Sequence, residues 1–158
     1  MRTICERCLD KNKDVYACFI DYEKAFDRVN HQKMIECLSQ MGVDSNDVKF
    51  IRNLYWGQQA YVRMKEMSDV IDIRRGVRQV SVLSPILFNI YTELIFRQCE
   101  HLKGINVGGV NVKNFRYADD TVLLAESAEQ LQDIVDAVNR VGKEWGMKMN
   151  AKKTDNTY

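Results

Sequence analysis

The stretch Phe115-Arg116-Tyr117-Ala118-Asp119-Asp120-Thr121-Val122-Leu123-Leu124 sets two adjacent acids between an aromatic-basic run and an apolar, β-prone run. This pattern predicts a tight hairpin with Asp119 and Asp120 at its turn. Side chains alternate along extended chain, so neighbouring carboxylates approach one point only where the backbone reverses. Held together, the two charges repel and each loses water, which is costly unless a cation lies between them. Oxygen donors without a Cys or His partner favour a hard ion, Mg²⁺ or Mn²⁺. An exposed acidic turn is the commoner setting for such a pair, and on this stretch alone it is the simpler reading. The rest of the chain decides between the two.

A length of 158 residues predicts one domain with a sizeable core. The 23 Lys and Arg nearly balance the 22 Asp and Glu, for a net charge of +1, so a polyanionic partner would have to be met by a local basic patch. Apolar residues make up 46% of the chain, yet no run reaches transmembrane length and the first residues lack the apolar core of a signal peptide. The expectation is a soluble, intracellular protein with no membrane partner, the nucleus included among its possible sites. Cysteines at 5, 8, 18, 37 and 99 suit reduced thiols. Cys5-Glu6-Arg7-Cys8 is a lone C-x-x-C without a second pair, and two thiols on one helix is the favoured reading over zinc or redox chemistry.

Residues 1–13 read as the last turns of a helix. Val15 to Ile20 is a continuous apolar run, as in a strand buried on both faces, and it ends on Asp21. An acid just past a buried strand lies where binding sites on mixed sheets tend to form, although a plain strand end is the commoner case. Asp27 reads as a turn cap. Asn30 is placed to cap a helix carrying Met34, Ile35, Leu38 and Met41 inward and ending at Gly42. Asp44 or Ser45 caps a second, with Val48, Ile51, Leu54 and Tyr55 inward and Gly57 as its stop. His31, with no partner in view, reads as a surface residue.

Residues 60–64 and 70–74 alternate as strands do, joined by a loop over 65–69. Arg74-Arg75-Gly76-Val77-Arg78-Gln79 then gathers three guanidinium groups around a glycine, suited to phosphate or simply to solvent. Ser84-Pro85 reads as a helix cap followed by a first-turn proline, opening an almost wholly apolar helix through Phe96. Residues 105–112 form a hairpin pivoting on Gly108-Gly109. Ser127 with Gln130 is a capping box, and the helix that follows keeps one apolar face as far as Trp145 and closes at Gly146. Met147 to Asn150 reads as a short strand. The order gives an α+β layer: an antiparallel sheet with a ferredoxin-like βαββαβ core and helices packed on one face.

In that layout the end of the Val15 strand lies beside the Asp119-Asp120 turn. Three acids around one point, flanked by arginines, is what holding two divalent ions and a triphosphate requires. At these residues the chain resembles the palm of reverse transcriptases, those of non-LTR retrotransposons in particular. Phe19-Ile20-Asp21-Tyr22-Glu23-Lys24-Ala25-Phe26-Asp27 resembles the family's first catalytic motif. Arg75-Gly76-Val77-Arg78-Gln79, continuing through Leu83-Ser84-Pro85-Ile86-Leu87-Phe88-Asn89, resembles the second. Phe115 to Asp120, with its Tyr-Ala-Asp-Asp box, resembles the third, and Gly146 to Thr154 the fourth.

The resemblance implies an RNA-directed DNA polymerase palm over residues 1–158, a single partial domain without most of the fingers and thumb. It implies that Asp21, Asp119 and Asp120 hold two Mg²⁺ ions, or Mn²⁺, with the Tyr22 carbonyl adding an oxygen. Phe26 would lie under the sugar of the incoming nucleotide, a role compatible with core packing. Arg78 and Gln79 would line the nucleotide site. Lys153, or else Lys152, would stand by the pyrophosphate as proton donor or counter-charge, unless this is simply a solvated basic end. Implied partners are an RNA template, a DNA primer, a dNTP and the remaining fingers and thumb.

Where the family pattern usually continues Arg-Gln-Gly-Cys, this chain has Gln79-Val80-Ser81, and a branched residue there adds bulk and loses access to positive φ. Val80 therefore keeps a second function in view, a non-catalytic retroelement fragment binding RNA or protein. A third, another palm-type enzyme such as a nucleotide cyclase, which shares the acid geometry, is disfavoured by the Arg78-Gln79 and Tyr-Ala-Asp-Asp motifs.

Overall fold

The computed structural model describes residues 14–61, 69–78, 81–117, 119–150 and 154–157. The helix read over 1–13, the C-x-x-C, residues 62–68, Gln79, Val80, Lys152 and Lys153 lie outside the described residues. The strands expected over 60–64 and 70–74 are seen only as a short antiparallel pair, β2 (Gln59–Ala60) with β3 (Ile71–Asp72). Among the described residues four strands form the main sheet: β1 (Tyr16–Ile20), β6 (Asn114–Tyr117), β7 (Asp120–Ala125) and β8 (Asp155–Thr157). Their order is β6-β7-β1-β8, each neighbour antiparallel. Counting only these strands, the first and third are central, which is the βαββαβ arrangement predicted from the sequence.

Among the described residues the five helices are α1 (Ala25–Arg28), α2 (His31–Gln40), α3 (Ser45–Tyr55), α4 (Leu83–Arg97) and α5 (Ala128–Glu144). Helix α5 packs on β1 and β7, α4 on α5 and α2, and α2 on α3. Between them Cys18, Ile20, Leu123 and Ala125 of the sheet meet Met34, Leu38, Leu87, Phe88, Tyr91, Ile95, Ile134 and Val138 of the helices. Each large apolar side chain fully buried there contributes about 1.5–3 kcal/mol. Cys18, Cys37 and Cys99 are buried free thiols acting as small apolar residues, and burial pushes the Cys37 thiol up to about 12.

The helix ends follow the local chemistry closely. Asn30 accepts from the Lys33 N–H, Asp44 from that of Asn46 and Ser127 from that of Gln130. At the far end of α5, Gly146 takes φ 79° while its N–H reaches the Lys143 carbonyl and that of Met147 reaches Gly142. This paired closure satisfies two of the last carbonyls.

The second face of the sheet is partly covered by a hairpin of β4 (Ile105–Val107) and β5 (Val110–Val112), reversing at Gly108 and Gly109, both at positive φ. Ile105 and Leu124 are buried there with Val15, Ala17 and Val122 around them. β1 is thus not buried on both faces: beyond the reach of this hairpin, Phe19 is 38% exposed.

Two further expectations need correcting. Ser84 does not cap α4, which begins at Leu83; Ser84 is buried and its hydroxyl donates to the Arg78 carbonyl, while Ser81 Oγ accepts from the Leu83 N–H. The last strand is not Met147 to Asn150, since the helix closure draws Met147 into the core and only a Tyr22–Met149 bridge forms. The strand instead follows at Asp155–Thr157.

Candidate active site on the open face of the sheet

The register of the two central strands positions the acids. Ile20 lies opposite Thr121, and Tyr117 lies opposite Asp120. Asp21 directly follows, and Asp120 directly precedes, the residues of that last β1–β7 pair. With a side-chain period of two, Asp21 and Asp120 fall on the face away from the helices, in line with Phe19, Val122, Phe115 and Tyr117. Tyr117 is 84% exposed, so the hairpin tip stands open to solvent on this side. Asp120 is the first residue of β7, and Asp119 alone of the pair occupies the reversal. Among the described residues no three His, Cys, Asp or Glu side chains are gathered tightly enough to hold a metal by themselves.

Asp21 is tied to a segment distant in sequence. Asn150 donates through its side-chain amide to Asp21 Oδ2 at 3.0 Å and through its backbone N–H to the Asp21 carbonyl at 2.8 Å. Glu23 N–H donates to the Lys148 carbonyl, and its carboxylate pairs with Lys148 at 2.9 Å and Arg28 at 3.5 Å. A shallow pocket of about 570 Å³ opens here, lined by Asp21, Tyr22, Glu23, Lys24, Arg28 and Asn150. Tyr22 turns its side chain the other way, into the core, where burial pushes its hydroxyl well above the usual range.

The arginine-rich loop docks on the residues after Asp21. Val77 N–H donates to the Phe26 carbonyl at 2.9 Å and Gly76 N–H to that of Val29 at 2.8 Å. Gly76 takes φ 96°, and a Cβ there would meet the Asp27 backbone at 3.4 Å. His31, read as a surface residue, is buried instead at 4% exposure. The loop folds over it, and its Nε2 donates to the Gly76 carbonyl at 2.7 Å while its ring packs 5.3 Å from Tyr55. Phe26 is half-buried with its ring 5.0 Å from that of Phe88, so the packing role weighed for it is realised. Arg75 and Arg78 are exposed on the loop; Asp27 lies in α1.

Two groups that sequence reasoning did not single out act on the acids' supports. Arg116, one residue before Tyr117 and on the helix side, lies 4.6 Å over the Phe96 ring and donates to Glu93 of α4. Its alternation with Tyr117 was the available signal. Asn150 is the second; its place in the fourth motif gave the position but not the contact.

All of residues 1–158 match the family model described as "Reverse transcriptase (RNA-dependent DNA polymerase)". The chain belongs to that family. This reverse transcriptase sequence is 31% identical over 144 residues to the "Retrovirus-related Pol polyprotein from type-1 retrotransposable element R2" of Nasonia vitripennis, covering 90% of this chain and 14% of that protein. It is 30% identical over 155 residues to the "RNA-directed DNA polymerase from mobile element jockey" of Drosophila funebris, covering 94% and 16%. The chain therefore spans about one seventh of the length of the R2 relative. Its fold is that of telomerase from Candida tropicalis in complex with a fragment of telomeric RNA, with a TM-score of 0.77 at 18% identity over 99% of this chain and 28% of that one. Telomerase from Candida albicans gives 0.67 at 13% identity over 98% and 28%. The α+β polymerase palm is thus the architecture of this chain. No helix among the described residues is long and apolar enough to cross a membrane.

Proposed function

We propose that this reverse transcriptase palm carries out RNA-directed DNA synthesis together with the fingers and thumb of a longer polymerase chain. The observation that supports the reading is the β1–β7 register, whose last pair, Ile20 with Thr121, is followed by Asp21 on one strand and preceded by Asp120 on the other, with Asp119 in the adjoining turn. An all-oxygen donor set, with a neutral amide bonded to Asp21, fits a hard divalent ion. Asp21, Asp119 and Asp120 are the residues that would hold two such ions. Bound there, Mg²⁺ or Mn²⁺ would lower the pKa of a primer 3′-hydroxyl and stabilise departing pyrophosphate.

The protein's own groups do the rest. Phe26, braced by Phe88, presents a rigid ring beneath the incoming sugar and excludes a 2′-hydroxyl by bulk. Arg78 and Gln79 bind the dNTP, Arg78 through its planar fork. As the 3′-oxygen bonds to the α-phosphorus and the bond to pyrophosphate breaks, Lys153 supplies a proton to the leaving group. The template and primer lie along the exposed face bearing Phe115 and Tyr117, where aromatic rings offer stacking surface.

Val80 supports a second reading, a retroelement fragment that folds and binds RNA without catalysis. Primer extension on an RNA template separates the two, comparing the parent palm, Val80→Gly and Asp119→Asn, each joined to the fingers and thumb of a longer polymerase chain. The first reading expects Mg²⁺-dependent extension that Val80→Gly increases and Asp119→Asn abolishes. RNA binding with no extension by parent or Val80→Gly favours the second.

A further inference from the structure

We propose that Asn150 is a positioning residue for Asp21, orienting the first metal-binding carboxylate without neutralising it. The inference rests on the metal-site reading above and adds a residue outside the acid set. Asn150 grips Asp21 at two points, amide to carboxylate at 3.0 Å and backbone N–H to carbonyl at 2.8 Å. A carboxylate only accepts, so the contact fixes the amide nitrogen toward Asp21. That bond engages Oδ2 through a neutral donor and adds no charge to the carboxylate. A Lys or Arg in this place would bring a full counter-charge and compete with the ion; the neutral amide orients and does not compete.

Asn150 is itself held from both sides. Thr154 donates to its carbonyl through the backbone N–H at 3.1 Å and through Oγ1 at 2.9 Å. Upstream, the Tyr22–Met149 bridge and the bond from Glu23 N–H to the Lys148 carbonyl fasten the segment to the chain beyond β1. The closure of α5 at Gly146 fixes where that segment starts. Asn150 is thus a rigid outer partner, the kind whose loss weakens a metal site by about tenfold or more while the ligand remains.

The test is a Mn²⁺ titration of the 158-residue chain, reading free Mn²⁺ by electron paramagnetic resonance. The variants are Asn150→Ala, Asn150→Ser, whose hydroxyl is too short to reach Asp21, Asp21→Asn, and Asp21→Asn with Asn150→Ala. Metal-free melting curves for each separate a folding defect from a binding one. The expected result is about tenfold weaker Mn²⁺ binding in both Asn150 single variants. Once Asp21 is Asn, removing Asn150 should change nothing more, because the two act as one unit. Parental affinity in Asn150→Ala or Asn150→Ser overturns this inference alone, as does an equal further loss in the double variant. A parent that binds no Mn²⁺ overturns the metal-site reading itself.

Discussion

Among the described residues Lys24 is the sole non-glycine with left-handed backbone, at φ 49° and ψ 50°, three residues after Asp21. That conformation costs an ordinary side chain about 1–2 kcal/mol, and here it turns the chain from β1 into α1, whose Phe26 packs against Phe88. Lys24→Gly should leave stability unchanged or raise it by up to about 1 kcal/mol, while Lys24→Val should lower it by about 1–2 kcal/mol. Urea midpoints measure both, and a valine variant as stable as the parent would contradict the turn geometry. His31 makes the matching point about legibility. Its sequence neighbours gave it no partner, because the group that covers it, the Gly76 carbonyl, comes from a loop 45 positions away. Asn150 was hidden in the same manner, its contact with Asp21 spanning 129 positions. Local residue chemistry names a candidate; long-range docking decides what it touches.

At the level of elements, the acid hairpin is fastened to α4 by Arg116 and Glu93. The Arg116 guanidinium, with a further contribution from Arg97, holds the Glu93 carboxyl below its ordinary value of 4.5. A carboxylate depressed on folding adds stability above its unfolded value, and that stability is lost as pH falls through the folded one. Below pH 4.5 the parent should therefore lose stability more steeply than Glu93→Gln, as followed by urea unfolding at stepped pH. Parallel pH profiles would show that this pair does not bind the hairpin to the helix.

The elements whose signals are local were legible in the sequence. Capped helices at Asn30, Asp44 and Ser127, the Gly108-Gly109 hairpin and the acid hairpin all formed where composition put them. What failed was phase. Ser84 looked like a cap because Pro85 followed it, yet the helix starts earlier, with Ser81 bonding its first N–H. Met147 to Asn150 had strand-like spacing, but Gly146 committed Met147 to the core first.

On the scale of the whole molecule, a β-strand bearing one acid and a hairpin bearing two are separated by roughly a hundred residues of helix, loop and hairpin. The βαββαβ topology cancels that separation by making β1 and β7 neighbours. Helices fill one face of the sheet, the β4–β5 hairpin covers part of the other, and the acids occupy what is left open. The family's relatives extend far beyond this palm, which covers 14% of the R2 protein and 16% of the jockey protein. The three acids were readable in the sequence for the same reason: they sit at strand ends and turns, where residue type and backbone reversal are both local.

The central claim is that the three acids serve one shared cation site. It is tested most directly by the melting temperature of the parent chain, Asp21→Asn, Asp119→Asn and Asp120→Asn, each with and without Mg²⁺. The parent should melt higher with Mg²⁺, by an amount that grows with the logarithm of concentration above the dissociation constant, and each substitution should reduce or remove that rise. A parent that does not respond to Mg²⁺, or an Asp21→Asn variant that responds in full, would contradict it.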